Sequence, residues 1–284
     1  ERERLQSLTW KNFDVKQLSP TIGAELVGLD LSQELSDEVI SEIQQALWDF
    51  KVIFFRNQEI TSDQQIQFAQ RFGELEIHPF LPPNTETPEL VRFEKNANAA
   101  GYENQWHHDV TWRETPSHGA ILRAIEIPPI GGDTLFVDAN AAYEGLTEEI
   151  KGEIDSLYAI HDFLRAFGRQ VPKEKLSEMR EMYPLVKHPV VINHHQTGKP
   201  LLYVNRIFVN GIEGYDEKEG FELIDALCRE FEVLEYSCRF KWEKNSIAFW
   251  DNQGVQHYAT SDYSPHIRVM ERASIKGSRP KRIR

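Results

Sequence analysis

The alternation of apolar and polar residues divides the chain into an early helical part and a later part rich in strands. In residues 35–50 (LSDEVISEIQQALWDF), apolar side chains recur at helical spacing behind Ser36, a favoured N-cap residue. Residues 61–73 (TSDQQIQFAQRFG) have the pattern of a second capped helix, which Gly73 ends. The short apolar run VIFF at 52–55 is typical of a buried strand. The pattern therefore predicts a helix, a strand and a helix in this order.

From about residue 88 onward, short extended segments dominate the pattern. The predicted strands are LVRF (90–93), GAILRAIEI (119–127), TLFV (134–137), LLYV (201–204), YSCRFKW (236–242), SIAFWD (246–251) and RVMERASI (268–275). Two helical stretches interrupt them, at about 139–155 and 217–231. Many short strands separated by Gly, Pro and Asn indicate a β-barrel or sandwich with helices packed outside it. We expect a mainly β fold with flanking helices, formed as a single domain over 1–284 with helical elaborations near 36–73, 139–155 and 217–231.

Composition and charge limit the classes of function. A chain of 284 residues with 40% apolar residues can bury a large core. Its formal net charge of −13 argues against a nucleic-acid partner or an anionic membrane partner, because both require a clustered positive field. The basic segment 276–284 is the exception, and we expect it to be a solvated tail or a docking contact. Cys228 and Cys238, the only cysteines, form no C-x-x-C pattern and indicate a cytoplasmic protein.

The stretch WHHDVTW at 106–112 carries the first candidate chemistry. If it is extended, His107 and Asp109 share one face. The opposite face then carries Trp106, His108 and Val110. An imidazole and a carboxylate on one face can bind a divalent metal, and a second histidine from a distant strand completes the triad typical of non-haem Fe(II) oxygenases. The H-x-D tripeptide is common, so it is a weak signal by itself.

Further candidates lie in the C-terminal segment 249–275. His257 lies between strand-like segments, and Arg268 and Arg272 follow it with a spacing of four residues. This spacing places both arginines on the same face of an extended segment. A doubly negative oxo acid on a metal needs a fixed cation for its far carboxylate, which a guanidinium binds through two parallel charge-assisted hydrogen bonds. Arg268 fits that role and Arg272 can hold a second anion, whereas surface salt bridges are the alternative for isolated arginines.

These residues give the chain a resemblance to the taurine/aryloxyalkanoate dioxygenase family of Fe(II)- and 2-oxoglutarate-dependent oxygenases, most closely to the taurine dioxygenase branch. The matching segments run through almost the whole chain and are IGAELVGLDLS (22–32), FFRNQEIT (54–61), FAQRFGELEIHP (68–79), WHHDVTW (106–112), ETPSHGAILRA (114–124), PPIGGDTLFVDANAAYEGL (128–146), FWDNQGVQHYATSDY (249–263) and RVMERASI (268–275). The resemblance implies a distorted double-stranded β-helix, also called a jelly roll. It also implies Fe(II), the co-substrate 2-oxoglutarate and O2.

The resemblance implies a role for each matching residue. The metal triad falls on His107, Asp109 and His257. The 2-oxoglutarate contacts fall on Thr134, in the GGDT turn, and on Arg268. The residues that hold an anionic substrate headgroup fall on His78, Val110 (through its backbone) and Arg272, with aromatic pocket walls on Phe167 and Phe208.

Two departures from the taurine pattern concern the substrate. Taurine-type enzymes carry a tyrosine three residues after the headgroup histidine and an asparagine four residues before the first iron ligand, where this chain has Leu81 and Glu103. The departures favour another sulfonate, an alkyl sulfate or a carboxylate with a more apolar body over taurine itself. The polar segment 164–200 also departs from the pattern, and we expect it to contribute a lid.

The resulting hypothesis is a dioxygenase that hydroxylates a small anionic organic substrate and converts 2-oxoglutarate to succinate and CO2. A zinc hydrolase can use the same ligands, but it has no need for Arg268 and Thr134. A non-catalytic jelly-roll binding protein is the third class. Family members are often dimers or tetramers, so a homodimer or homotetramer is compatible with the sequence. We expect Asn252 to form a turn or to support the ligands. We expect packing or surface roles for His108, His161, His194, His195 and His266. For His118 and His188 the assignment stays open, and a structural role is favoured.

Overall fold

The computed structural model describes residues 1–77, 86–96 and 104–283. Its strands, numbered β1 to β15 along the chain, are Asp14–Gln17, Ala24–Val27, Val52–Phe55, Leu90–Lys95, Gly119–Glu126, Thr134–Asp138, Tyr158–His161, Val186–Pro189, Val191–Asn193, Pro200–Leu202, Val209–Ile212, Ser237–Phe240, Ile247–Asp251, Val255–Ala259 and Arg268–Ile275. Its α-helices, α1 to α8, are Arg2–Gln6, Asp37–Phe50, Ser62–Gln70, Ala139–Gly145, Glu148–Ile154, Phe163–Phe167, Leu176–Met182 and Glu217–Arg229. Short 3-10 helices lie at Lys173–Lys175, Glu230–Glu232 and Leu234–Tyr236.

The strands form one large sheet and three small ones. The seven-stranded sheet has the order β1-β2-β3-β13-β5-β15-β4, and a three-stranded sheet has the order β12-β6-β14. The other sheets are β11-β7-β8 and β10-β9. Neighbouring strands are antiparallel except for β2 and β3, which pair in parallel. The predicted mainly β jelly roll with flanking helices is confirmed.

The seven-stranded sheet is buried on both faces at β3, which explains the unbroken apolar run of this strand. Val52 and Phe54 belong to the core between this sheet and the β12-β6-β14 sheet. There the ring of Phe54 stacks on that of Phe240, with ring centroids 4.0 Å apart. Ile53 and Phe55 belong to a second core, which α2 and α3 cover. A strand with both faces covered cannot alternate apolar and polar residues. A third core packs α4 and α8 against the smaller sheets.

Capping residues set the helix boundaries. Ser36 accepts a hydrogen bond from the Val39 N–H at the start of α2, and Thr61 and Gln64 form the capping box of α3, as predicted. α3 ends at Gln70, three residues before the expected Gly73. The helical stretch predicted over 139–155 consists of two helices, because the chain leaves the first helix at Leu146 and Thr147 caps the second one.

The basic C-terminal segment docks on its own chain and is not a solvated tail. The Lys281 carbonyl accepts a hydrogen bond from the Asn193 N–H at 2.8 Å, and Arg282 forms an ion pair with Asp155. The Ile283 N–H donates to the Asn193 side chain at 2.8 Å.

Within 1–77, 86–96 and 104–283, no helix is long and apolar enough to cross a membrane.

Candidate active site

Two histidines and an aspartate meet at one end of the sandwich. His107 and His257 are paired by two backbone hydrogen bonds of 3.2 and 3.0 Å. The Asp109 Oδ1 atom lies 3.7 Å from His107 Nε2 and 3.9 Å from His257 Nε2. One ligand atom from each of the three residues lies within 4.8 Å of the other two. The structure thus brings together the three residues that the sequence singled out.

The WHHDVTW stretch reaches this arrangement without being a strand. Only His107 forms a β-bridge, and the chain turns from Asp109 onward. His107 and Asp109 face the site while His108 packs behind them against Tyr203, with ring centroids 4.7 Å apart. The expectation that Val110 faces away with His108 is wrong, because its φ of 49° is left-handed and brings it to the same cavity.

The protonation of the two imidazoles suits a metal. His107 Nδ1 lies 2.8 Å from the Gln105 carbonyl and donates to it, so Nε2 keeps its lone pair for a ligand. Burial, with a further contribution from His107, lowers the pKa of His257 to about 3. Metal ligands must be deprotonated, and a neutral imidazole fulfils this condition at neutral pH. Two imidazoles and one carboxylate are therefore a donor set that fits a divalent transition metal.

A cavity of about 670 Å³ opens above the triad. One face of β15 contributes Arg268, Met270 and Arg272 to its lining, which confirms that both arginines share a face. Thr134 also lines the cavity, and its hydroxyl accepts a hydrogen bond from Trp242 Nε1 at 2.9 Å. Gly132, with a φ of 74°, lies where an added Cβ would approach Arg268 Cδ to 3.3 Å. The glycine turn therefore leaves room for the Arg268 side chain.

Arg272 contacts the metal triad directly. Its Nη1 lies 3.0 Å from Asp109 Oδ2, and its guanidinium lies 5.0 Å from the ring centroid of Phe93. The Asp109 carboxylate therefore presents Oδ1 to the two imidazoles and Oδ2 to Arg272. Arg272 is thus placed beside any ligand that binds over the triad.

Apolar and cationic residues form the rest of the cavity. Phe167 and Phe208 both line it, with ring centroids 6.1 Å apart, where the resemblance placed its aromatic walls. Sequence reasoning missed three arginines of the lining, Arg165, Arg169 and Arg206. The four-residue spacing of the first two was the available signal. The predicted lid over 164–200 contributes only its first residues to the lining, up to Gln170.

Three predicted substrate residues, His78, Leu81 and Glu103, lie outside the described residues. The structure places Asn252 beside the triad, where it hydrogen-bonds the backbone of Asp109. His161, His188 and His194 are buried, as a packing role requires.

Comparisons with known proteins agree with this geometry. The family model described as "Taurine catabolism dioxygenase TauD, TfdA family" matches residues 14–274. An alpha-ketoglutarate-dependent sulfate ester dioxygenase of Pseudomonas putida is 35% identical over 94% of this chain and 91% of that protein. An alkylsulfatase of Acinetobacter baylyi is 33% identical over 94% of this chain and 86% of that protein. A crystal structure of a taurine dioxygenase from Burkholderia xenovorans superposes with a TM-score of 0.83 at 33% identity, covering 95% of this chain and 91% of that chain.

Proposed function

The chain belongs to the taurine catabolism dioxygenase TauD, TfdA family, and on this premise we propose that it is a 2-oxoglutarate-dependent non-haem iron dioxygenase that oxidises an alkyl sulfate ester. The observation that carries the proposal is the position of Arg268 and Arg272 on one face of β15, beside the triad and inside one cavity. A zinc hydrolase would need the triad but would have no need for Arg268 and Thr134, which line the same cavity.

Different residues of the cavity bind the metal and the co-substrate. His107, Asp109 and His257 hold the metal, and Arg268 with Thr134 binds the far carboxylate of 2-oxoglutarate. When bound, ferrous iron with 2-oxoglutarate and O2 supplies the oxidant and releases succinate and CO2. The chain itself orients the substrate and excludes water, since the three ligands lie in a cavity with apolar walls and each is only 8% exposed.

Arg272 is the proposed partner of the sulfate headgroup. A guanidinium matches the oxygens of a sulfate and binds them through charge-assisted hydrogen bonds. Phe167, Phe208 and Val110 then provide an apolar surface for the alkyl body. Hydroxylation of the carbon that bears the sulfate gives an unstable hemiacetal ester, which splits into an aldehyde and inorganic sulfate. The printed names of the two relatives, a sulfate ester dioxygenase and an alkylsulfatase, support this substrate class.

A sulfonate is the second candidate substrate. It is supported by the similarity to the taurine dioxygenase from Burkholderia xenovorans. Taurine itself carries a charged amine at the end of a short alkyl chain, so the apolar lining from Phe167 and Phe208 favours a longer and more apolar molecule. A cytoplasmic location is part of the proposal and rests on the two cysteines, which are free and buried.

Two measurements test the proposal. Anaerobic addition of Fe(II) and 2-oxoglutarate should produce a weak visible charge-transfer band, and Zn(II) should produce none. Under air, alkyl sulfates should give O2 uptake, succinate, aldehyde and sulfate in equal amounts, with higher kcat/KM than taurine. Release of sulfate without O2 uptake would indicate the hydrolase, and metal binding without any turnover of a sulfate or sulfonate would indicate the binding protein.

A further inference from the structure

Asn252 holds the backbone of Asp109 from both sides. It lies in the turn between β13 and β14 and is 1% exposed. Its Oδ1 accepts a hydrogen bond from the Asp109 N–H at 2.7 Å, and its Nδ2 donates to the Asp109 carbonyl at 3.0 Å. The same Nδ2 donates to the Ser117 carbonyl at 3.0 Å. One amide group therefore links β14, which carries a histidine of the triad, to the aspartate of the triad.

The residue that follows Asp109 has a strained backbone. Val110 has a φ of 49°, in the left-handed region that a β-branched residue rarely adopts because its Cβ crowds the following carbonyl. Such a conformation persists only where the surrounding structure determines it. The two hydrogen bonds between Asn252 and the backbone of Asp109, one accepted and one donated by the amide, supply that constraint one residue earlier.

The turn that carries Asn252 is itself held by a buried hydrogen bond between His194 and the Asp251 carboxylate. Asp251 Oδ1 accepts hydrogen bonds from the Gln253 and Gly254 N–H groups at 2.9 and 3.2 Å, and Asp251 Oδ2 contacts His194 Nε2. His194 Nδ1 accepts the Thr197 N–H at 3.0 Å, so its Nε2 carries the proton and donates to Asp251. The turn is therefore bound to the segment that follows β9.

We propose that Asn252 is a positioning residue, which aims the Asp109 carboxylate at the metal by holding Asp109 against the left-handed Val110. Asp251 and His194 fix the turn from which Asn252 projects. The inference rests on the metal role of Asp109 in the proposed function. It assigns the orientation of this ligand to a side chain that is itself no ligand.

The test measures metal affinity and folding separately. We expect Asn252→Ala to weaken Mn(II) binding, followed by electron paramagnetic resonance, by about 10- to 100-fold. Asn252→Ser keeps a short polar side chain that can bond one backbone group of Asp109 but cannot bridge both, so it should weaken Mn(II) binding by less. Asn252→Ser also serves as the test variant if Asn252→Ala does not fold.

Asn205→Ala is the matched control. Asn205 is 0% exposed and hydrogen-bonds the Phe208 N–H and the Thr111 hydroxyl, at 2.8 and 3.3 Å, instead of a triad residue. Its loss should lower the Tm of the metal-free protein and leave the Mn(II) dissociation constant unchanged. Equal weakening of Mn(II) binding by the Asn205 and Asn252 variants would assign Asn252 a purely structural role and overturn the inference.

A double-mutant cycle tests the link to Val110. Val110→Gly removes the steric cost of the left-handed backbone, so Asn252→Ala should weaken Mn(II) binding less in this background than in the wild type. Strictly additive effects would overturn the link. The wild type separates the two hypotheses: absence of metal binding there contradicts the proposed function, whereas wild-type affinity in both Asn252 variants contradicts only the positioning role.

Discussion

Strand β15 carries a buried contact between arginine and carboxylate on each of its faces, and the two contacts differ in their surroundings. On the face away from the cavity, Glu271 accepts hydrogen bonds from Arg123 at 2.8 Å, Ser62 at 2.9 Å and Arg92 at 3.0 Å. On the cavity face, Arg272 contacts Asp109 at 3.0 Å, and its Nε has no hydrogen-bond partner within the described parts of the chain.

This difference separates an ion pair enclosed by the protein from one that borders a cavity. Burial raises the pKa of Glu271, but hydrogen bonds from Arg123 and Ser62 bring the net pKa below its usual value. A carboxylate enclosed by donors in this way has no place for a ligand. The Arg272 contact instead borders a cavity of about 670 Å³, so a bound anion can take up the hydrogen-bonding capacity that the protein leaves open.

The largest expected effect comes from removing the ligand charge on the cavity face. Asp109→Asn preserves the shape and can still bind Arg272, but it offers the metal a neutral amide. We expect Mn(II) affinity to fall by more than the about 100-fold that marks an outer-sphere change, and O2 uptake to fall to background. The Tm of the metal-free protein, measured by circular dichroism, should fall less than in Arg123→Gln, because the Arg272 contact borders the cavity and the amide introduced at position 109 can still accept a hydrogen bond from Arg272. Retained turnover would contradict the metal role of Asp109.

Next in size is the loss of the enclosed contact on the opposite face. Arg123→Gln leaves the buried Glu271 without its first ion-pair partner, and breaking a buried pair costs about 3–5 kcal/mol of unfolding free energy. Arg92 and Ser62 continue to donate, so we expect the lower part of that range. Urea denaturation measures the loss. An increase in KM without loss of stability would contradict the structural assignment.

Arg272→Gln should produce a smaller effect, and it should lower kcat/KM instead of the unfolding free energy. Hydrogen bonds to charged groups contribute about 1.5–3 kcal/mol, so kcat/KM for an alkyl sulfate should fall by about 10- to 100-fold. The unfolding free energy should change less than in Arg123→Gln. Arg272→Lys keeps the charge without the planar fork and should recover part of the loss. Equal kcat/KM for the wild type and the Gln variant would show that the headgroup binds elsewhere.

The smallest effect is a pH dependence of stability from the histidines behind the triad. Burial lowers the pKa of His188 to about 4 and that of His161 well below its usual value. The unfolded chain binds protons near the ordinary pKa of about 6.5. Between these values only the unfolded state is protonated, so the unfolding free energy should fall as pH falls from about 6.5 towards 4.

The low pKa of Glu271 makes the pH dependence of the unfolding free energy easier to assign to the histidines. Because the pKa of Glu271 lies below its ordinary value of 4.5, that contact stays ionised from pH 7 to 5 in the folded state and adds a slope only near pH 5, where the unfolded chain begins to protonate. Urea denaturation of the metal-free protein at pH 7, 6 and 5 should therefore report the histidines. His188→Gln keeps a donor for the Thr111 and Arg113 carbonyls but does not titrate, so it should flatten the slope. An unchanged slope in this variant would assign the pH dependence to other groups.

Prediction from the sequence succeeded where the signal is local. β15 begins and ends at the predicted residues, and the N-caps of α2 and α3 lie where the Ser and Thr pattern placed them. The local pattern gave no sign of the turns at Leu146 and at Val110. Arg165 and Arg169 were missed because only the docking of α6 brings them to the cavity, and Arg206 reaches it from the loop between β10 and β11.

The amino-acid sequence by itself determined the strand-rich fold class, the caps, the H-x-D pair and the common face of Arg268 and Arg272, because period and spacing act between near neighbours. Only the tertiary structure decided that His257 pairs with His107 through a β-bridge and that Asn252 hydrogen-bonds the backbone of Asp109. These residues are remote along the chain, and their distances depend on how the strands pair and pack. A sequence pattern carries no measure of such distances, since burial and pairing arise only when the whole core assembles.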